Sequence, residues 1–278
     1  MPRETQFILS GAEFSYPGSS GKVLSGIDLE IRAGEWVALL GSNGSGKTTL
    51  LKILSALLVP TQGSSFISGS SQDDAACGRK APCAMVFQNP EDQIVASTLE
   101  EEVAFGPENL GCPAEEIRRR VTHSLEACGL SGMEKHLVSS LSGGQKQRLA
   151  LAGALAMQPA AILLDEALSM LDPQSRRAFT EIIASEHAKG RTIVQVTHRI
   201  EEIRLAERML LLKDGKIEFD MPREDFFRMR SEDLAAFGLE LPPFEKLCEI
   251  LRIRGLLPES CAADIGAVET YIYDAFGK

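Results

Sequence analysis

Gly41-Ser42-Asn43-Gly44-Ser45-Gly46-Lys47-Thr48 is the stretch on which the fold of this chain turns. Glu35-Trp36-Val37-Ala38-Leu39-Leu40, just before it, is an apolar run that reads as a buried strand. Thr49-Leu50-Leu51-Lys52-Ile53-Leu54, just after it, reads as the first turns of a helix. A strand, a glycine-rich turn closing on lysine and threonine, and a helix make up a phosphate-binding loop. The glycines let the backbone curl with its N–H groups pointing inward. Those groups and the positive end of the helix dipole face the phosphates of a nucleotide. In that arrangement Lys47 reaches the β- and γ-phosphates and the Thr48 hydroxyl is a ligand for Mg²⁺.

Composition narrows the remaining choices. The 278 residues allow one large domain, or one large and one small, and 44% of them are hydrophobic, enough for a substantial core. A formal charge of −10, from 39 acidic and 29 basic residues, argues against a nucleic-acid partner. No charge-free apolar run is long enough to span a bilayer, and Met1-Pro2-Arg3-Glu4-Thr5-Gln6 lacks a signal-peptide core. Cys77, Cys83, Cys112, Cys128, Cys248 and Cys261 lack metal-ligand spacing and read as reduced thiols, several of them buried.

Outward from the loop, Phe7 to Phe14 and Val23 to Ile31 read as an antiparallel pair joined by turn residues. Tyr16 stands at the end of the first strand, where its ring either stacks on a purine or simply ends a strand. Pro60-Thr61-Gln62-Gly63 breaks the helical pattern, Ser64 to Gly69 reads as a short strand, and Ser70 to Pro82 as a surface loop. A buried strand, Ala84 to Phe87, ends at Gln88. Thr98 and Glu101 form a capping box opening a helix with acids in its first turn. On the helix from Pro113 to Cys128, the Arg118-Arg119-Arg120 triplet reads mostly as a solvated face.

Leu141-Ser142-Gly143-Gly144-Gln145 opens a helix to about Met157, with Ser142 as N-cap, Lys146-Gln147-Arg148 polar, and Leu149, Leu151, Ala152 and Leu155 as the packing face. Its glycines leave N–H groups open to close approach, a second anion site far along the chain from the first. Ala160 to Glu166 reads as a buried parallel strand ending in the acids Asp165 and Glu166. Ser169-Met170-Leu171-Asp172-Pro173 then enters a helix from Gln174 to Ala188, and Thr192 to Thr197 is a core strand with His198 at its carboxyl end. A short helix is expected over Glu201 to Ala206, and Asp214-Gly215 marks a hairpin. Beyond Asp220 the pattern turns to short helical pieces, near Arg223 to Met229, Ser231 to Phe237, Phe244 to Arg254 and Val268 to Phe276.

In order and spacing, these motifs resemble the ATPase subunit of an ATP-binding cassette (ABC) transporter over about residues 6 to 220. Phe87 to Gln93, with Phe105-Gly106-Pro107-Glu108-Asn109, is further similar to the ATPases of energy-coupling factor (ECF) importers, which move vitamins or transition-metal ions. The resemblance implies an α/β fold: a P-loop NTPase ABC-type domain over 1–220 with an antiparallel β subdomain and a helical subdomain at about 89–158. A small, mostly helical extension over 221–278 is a candidate dimerisation element. ATP contacts are expected from Tyr16, through adenine stacking, from Gly41 to Thr49, and from Ser142, Gly143, Gly144 and Gln145 toward the nucleotide of a second subunit. Thr48, Gln88 and Asp165 would hold Mg²⁺, Glu166 would activate the attacking water, and Gln88, His198 and Lys47 would assist. Ala167-Leu168 stand where the family often has Pro-Thr, with no proposed chemical group lost.

The implied partners are a second ABC subunit, identical or related, a transmembrane scaffold and a substrate-binding membrane subunit, the chain being peripheral at the cytoplasmic face. Scaffold docking is expected on Gln88 to Gly106. Ile94, Val95, Leu99 and Val103 supply apolar contacts, with Glu100, Glu101 and Glu102 as an acidic rim. Val103 and Phe105 are expected to pack inward, and Ile94 and Val95 to line an exposed groove. A non-transport ABC ATPase acting on ribosome or DNA is the alternative. Against it stand the charge, the single cassette, and the lack of room for a long coiled coil between Thr48 and Leu141.

Overall fold

The computed structural model describes residues 4–19, 21–68, 80–239, 241, 243–258 and 265–276. The chain runs β1 (Thr5–Phe14), β2 (Leu24–Arg32), β3 (Trp36–Leu40), α1 (Lys47–Leu54), β4 (Gln62–Ile67) and β5 (Cys83–Val86). It continues through α2 (Leu99–Asn109), α3 (Ala114–Ala127), α4 (Gly143–Ala156), β6 (Ala161–Asp165), α5 (Pro173–Ala188) and β7 (Thr192–Val196). It closes with β8 (Arg208–Lys213), β9 (Lys216–Pro222), α6 (Arg223–Phe226), α7 (Ser231–Ala235), α8 (Pro243–Ile253) and α9 (Ile265–Phe276).

Two sheets organise it. β2-β1-β4 is antiparallel. The second, ordered β5-β6-β7-β3-β8-β9, is parallel from β5 to β8, with β9 turned back on β8. β3, β6 and β7 are buried along their whole length, as interior strands covered on both faces must be. The pleat divides β3 between two cores. Val37 and Leu39 join α1 and the antiparallel sheet, while Trp36, Ala38 and Leu40 face the core of the helical layer. The hairpin at Asp214-Gly215 has positive φ at both residues (47° and 74°), the twist-matched turn such a pair favours. The fold class is therefore the α/β one implied by the motifs.

Several local readings shift. Gln62 and Gly63 belong to β4 rather than to the break before it, since Gln62 pairs with Glu13. Gly63 lies so close to β1 that a Cβ would stand 2.3 Å from the Gly11 carbonyl oxygen. The helix expected over Glu201 to Ala206 is a single 3₁₀ turn, Ile200–Ile203. Of the arginine triplet, Arg118 and Arg119 face solvent, but Arg120 is buried, paired with Glu116 and donating to the Ala156 carbonyl. Gln147 is likewise buried, its Nε2 donating to the Phe87 carbonyl at 2.9 Å. Cys83, Cys112 and Cys128 are free thiols, Cys128 and Cys248 are buried, and burial pushes Cys128 up to about 12. Cys77, Cys261 and most of the loop expected over 70–82 lie outside the described residues.

α2, α3 and α4 pack together as a helical layer, entered by a 3₁₀ turn at Pro90–Asp92. The capping box at Thr98 and Glu101 is formed. The expected docking face is corrected at four positions. Leu99 is fully buried and Ile94 packs partly against the core, so neither is an open apolar contact. Glu102 is buried and accepts from the N–H groups of Val95 and Ala96 at 2.9 and 2.8 Å, so it fastens the segment instead of rimming it. Phe105, expected inside, is half exposed because it lies on the outer side of α2, away from Val103. Val95 is 66% exposed, with Glu100 and Glu101 facing solvent beside it in sequence.

The end of the chain has two parts. Phe226, Leu234, Leu239 and Leu241 share the core of the helical layer, and the Phe219 ring packs on Phe226 and Phe237 at centroid distances of 6.0 and 5.7 Å. Cys248, Leu257 and Val268 form a small core of their own with Phe244 and Leu251. Among the described residues no helix is long and apolar enough to cross a membrane.

Candidate nucleotide site

The phosphate loop is shaped by what its glycines leave out. A Cβ at Gly41 (φ +146°) would lie 2.3 Å from the Leu212 carbonyl oxygen. At Gly46 (φ +105°), the N-cap of α1, it would lie 3.0 Å from the Val23 carbonyl oxygen. Any larger residue would push the loop off the neighbouring strands. Ser42, Asn43 and Gly44 form the exposed tip, while Ser45 is buried beneath it.

Lys47 is buried, its Nζ donating to the carbonyls of Gly41 and Ser42 at 2.9 Å each, so the ammonium sits within the curl of the loop. Burial lowers its pKa, and the carboxylates of Glu166 and Asp165 work in the opposite sense. The Thr48 hydroxyl donates to Asp165 Oδ1 at 3.1 Å. Burial raises the Asp165 pKa; the Thr48 hydrogen bond opposes that, and the like charge of Glu166 adds to it. Tyr16 is anchored by a 3.1 Å contact between its hydroxyl and that of Thr49, and by an edge-on approach to Phe14 at 5.0 Å. The residue remains 39% exposed.

Glu166 carries a backbone conformation that non-glycine residues seldom adopt, φ +49°. Its N–H donates to the Val196 carbonyl at 3.1 Å, extending the β6–β7 ladder into the turn. Its carboxylate lies 3.6 Å from His198 Nδ1, and the imidazole is half exposed. Strain of this kind persists where the surroundings impose it and is concentrated at functional positions. Ser169 was given no role by its motif. Its hydroxyl donates to the Glu166 carbonyl at 2.8 Å and accepts from Gln88 Nε2 at 3.2 Å, tying Gln88 to the strand-end acids.

The structure thus gathers Tyr16, the Gly41–Thr49 loop, Gln88, Asp165, Glu166 and His198 at the carboxyl ends of β3, β6 and β7 and alongside them. It places Ser142 to Gln145 elsewhere. Ser142 caps α4 in a reciprocal box with Gln145, whose side-chain oxygen accepts from the Ser142 N–H at 2.9 Å, so the Gln145 amide is committed to the helix start. A Cβ at Gly144 would lie 2.4 Å from Ser175 Oγ on α5, whereas Gly143 is exposed with nothing within 4 Å of its Cβ position. Among the described residues no hydrogen bond joins this helix start to the Gly41–Thr49 loop.

A buried lysine in a glycine loop, with paired acids at the end of a strand in the same sheet, is the equipment for transferring a phosphoryl group to water. The ABC transporter family model matches residues 24–169, and the chain belongs to the ABC transporter family. Its members are ATPases, and so is this chain. The energy-coupling factor transporter ATP-binding protein EcfA1 of Symbiobacterium thermophilum is 44% identical over 237 residues, 84% of this chain and 82% of that protein. CbiO1 of Clostridium perfringens, part of the ABC transporter complex cbiONQ, superposes with a TM-score of 0.71 at 29% identity, over 88% of this chain and 99% of that one. The ATP-binding cassette MJ0796, solved as a dimer in a post-hydrolysis state with ADP and Pi, superposes with a TM-score of 0.67 at 31% identity, over 78% of this chain and 98% of that one. The chain is an ATP-binding subunit of the ECF type, a class of membrane-associated transporter components, and the ribosome or DNA alternative finds no support in these relatives.

Removing the buried ammonium in Lys47→Ala is expected to weaken ATP binding itself, by about tenfold or more, since a charged partner of the phosphates is lost. Calorimetry checks this, and unchanged affinity would remove Lys47 from the phosphate site.

Proposed function

We propose that two cassettes, this chain and an identical or related one, clamp ATP head to tail. Hydrolysis then drives uptake of a vitamin or transition-metal ion through a membrane scaffold and a separate substrate-binding membrane subunit. This assignment rests on a division within the chain: one complete set of catalytic side chains at the sheet edge, and a helix start at Ser142 to Gly144 that is open on the side of Gly143. A helix N-terminus with bare backbone N–H groups suits a γ-phosphate held by another subunit.

In each composite site Lys47 and the loop N–H groups hold the phosphates, and Tyr16 stacks on adenine. Glu166 orients the attacking water and takes its proton. His198 steadies that carboxylate and donates to the γ-phosphate, and Gln88 positions the water. The Thr48 hydroxyl, the Asp165 carboxylate and the Gln88 amide oxygen are hard oxygen donors that fit Mg²⁺, and the Thr48–Asp165 hydrogen bond brings two of them together. When bound, the ion supplies charge neutralisation at the phosphates. Residues 1–220 make up the cassette, peripheral at the cytoplasmic face of the membrane, and 221–278 the appended helical segment. Val95 and Phe105, with the solvent-facing Glu100 and Glu101, offer the scaffold an apolar contact beside acids.

Glu166→Gln is expected to keep ATP affinity while lowering turnover by about 10²–10⁴-fold, the usual worth of a positioned base. Steady-state hydrolysis near the wild-type rate would exclude Glu166 as the base.

Gly143→Asp separates the dimer model from a site complete within one chain. An acid in the first turn favours α4 itself, so the helix should persist. A carboxylate facing the opposite γ-phosphate should abolish closure, read as lost ATP-dependent dimerisation in a Glu166→Gln background by gel filtration. Gly144→Asp is the poorer probe because its side chain would collide with Ser175 of the same chain. A Gly143→Asp protein that still dimerises with ATP would rule out the head-to-tail clamp.

For the scaffold surface, Val95→Asp and Glu100→Lys are expected to abolish co-purification of the membrane partner and uptake, with basal hydrolysis retained. Intact partner binding in both would move the coupling surface elsewhere.

A further inference from the structure

A cleft of about 710 Å³ is lined by α5, Arg176 included, and by Arg199 and Glu202 of the segment after His198. Glu202 is buried, one of its oxygens toward the Thr197 turn and the other toward Arg176 of α5. Oε2 accepts the Thr197 hydroxyl proton at 2.7 Å. The same hydroxyl accepts from the Arg199 N–H at 3.0 Å, closing the turn whose central residue is His198. Oε1 has no hydrogen bond of its own and stands 3.3 Å from Arg176 Nε. Arg176 in turn donates from Nη2 to the Leu171 carbonyl at 2.9 Å and from Nε to the Leu168 carbonyl at 3.4 Å. Leu168 and Leu171 bracket Ser169, which holds both Gln88 and the Glu166 carbonyl.

Burying a carboxylate costs stability unless its partners repay it, and a well-packed apolar pair would often do as well. Here both partners lead to the reacting groups. We propose that Arg176 and Glu202 form a positioning pair. It locks the turn of His198 to the loop following Glu166, so that imidazole and carboxylate keep one mutual geometry. The inference rests on the catalytic reading of Glu166 and His198 given above. The side-chain polar contacts of Arg176 and Glu202 go to Leu168, Leu171, Thr197 and each other, none of them in the Gly41–Thr49 loop. Their effect passes through His198, and it bears on the rate of the chemical step rather than on ATP affinity. A displacement of about 1 Å at reacting groups can cost up to about 10²-fold in rate.

The test is a double-mutant cycle on ATP hydrolysis by the full chain in the ATPase assembly it forms, with ATP affinity measured alongside. Trp36, the only tryptophan and buried, reports the folded fraction of each variant by fluorescence. Glu202→Ala is expected to lower kcat about tenfold or more with ATP affinity unchanged. Glu202→Gln, which keeps an acceptor for Thr197 and fills the same volume, should lose less, and it stands in if the alanine variant fails to fold. In a His198→Ala background either substitution at Glu202 should lower kcat by less than about twofold, since the residue through which it acts is gone. The same fold loss with and without His198 would overturn the pair's positioning role while leaving the catalytic reading intact. A His198→Ala enzyme that hydrolyses ATP at the wild-type rate would overturn that reading, and the proposal with it.

Discussion

Everything at this site depends on the order of strands around β3. Because β3 lies between β7 and β8, and β7 lies beside β6, the carboxyl ends of three buried parallel strands open on one edge of the sheet. Each then delivers its chemistry within reach of the others. β3 runs into the loop that wraps Lys47, β6 ends on Asp165 with Glu166 next in the chain, and β7 leads to Thr197 and His198. Ligands of open α/β sheets bind in such a crevice. The Leu212 carbonyl of β8 completes it by pressing on the loop where any side chain at residue 41 would stand.

Within that frame, electrostatics explains why the cluster is held together by polar contacts. Lys47, Asp165 and Glu166 are charged groups in or near a buried region; Lys47 and Asp165 act on each other, and Glu166 acts on both. The lysine ammonium is satisfied by two carbonyls and the aspartate by a threonine hydroxyl, which keeps the site formed without an internal salt bridge between them. Glu166 takes the strained position in the turn, where its backbone is fixed by β7 and its side chain is left toward His198.

Much of this was legible in the sequence because the informative features are local. The loop, the capping boxes at Thr98 and Ser142 and the hairpin at Asp214-Gly215 are set by residues within a few positions of each other. What could not be read were polar residues whose partners lie far along the chain. Nothing near Arg120 announces its burial against the Ala156 carbonyl, and nothing near Gln147 announces its bond to Phe87. Arg176 and Glu202 are of the same kind. Glu102 misled for the opposite reason. It stands in an acidic run that suggests solvent, yet the two N–H groups it accepts are only six and seven residues back, on a loop whose path the sequence does not specify. Phe105 and Leu99 exchanged their expected surroundings because a helix face is fixed by what packs on it, not by hydrophobicity alone.

The segment from Phe87 to Ala96 is pinned at both ends to the helical layer, by Gln147 at the Phe87 carbonyl and by Glu102 at Val95 and Ala96. Between those pins Gln88 reaches Ser169 at the catalytic edge. Held in this way, the stretch is tied at once to α2, to α4 and to the catalytic edge. Any free energy by which ATP favours one placement of it must reappear, with equal size, in how tightly the protein grips whatever binds beside Val95. For a membrane partner docked beside Val95 as proposed, its affinity and that for ATP are then two readings of a single equilibrium, and neither can be tuned without the other.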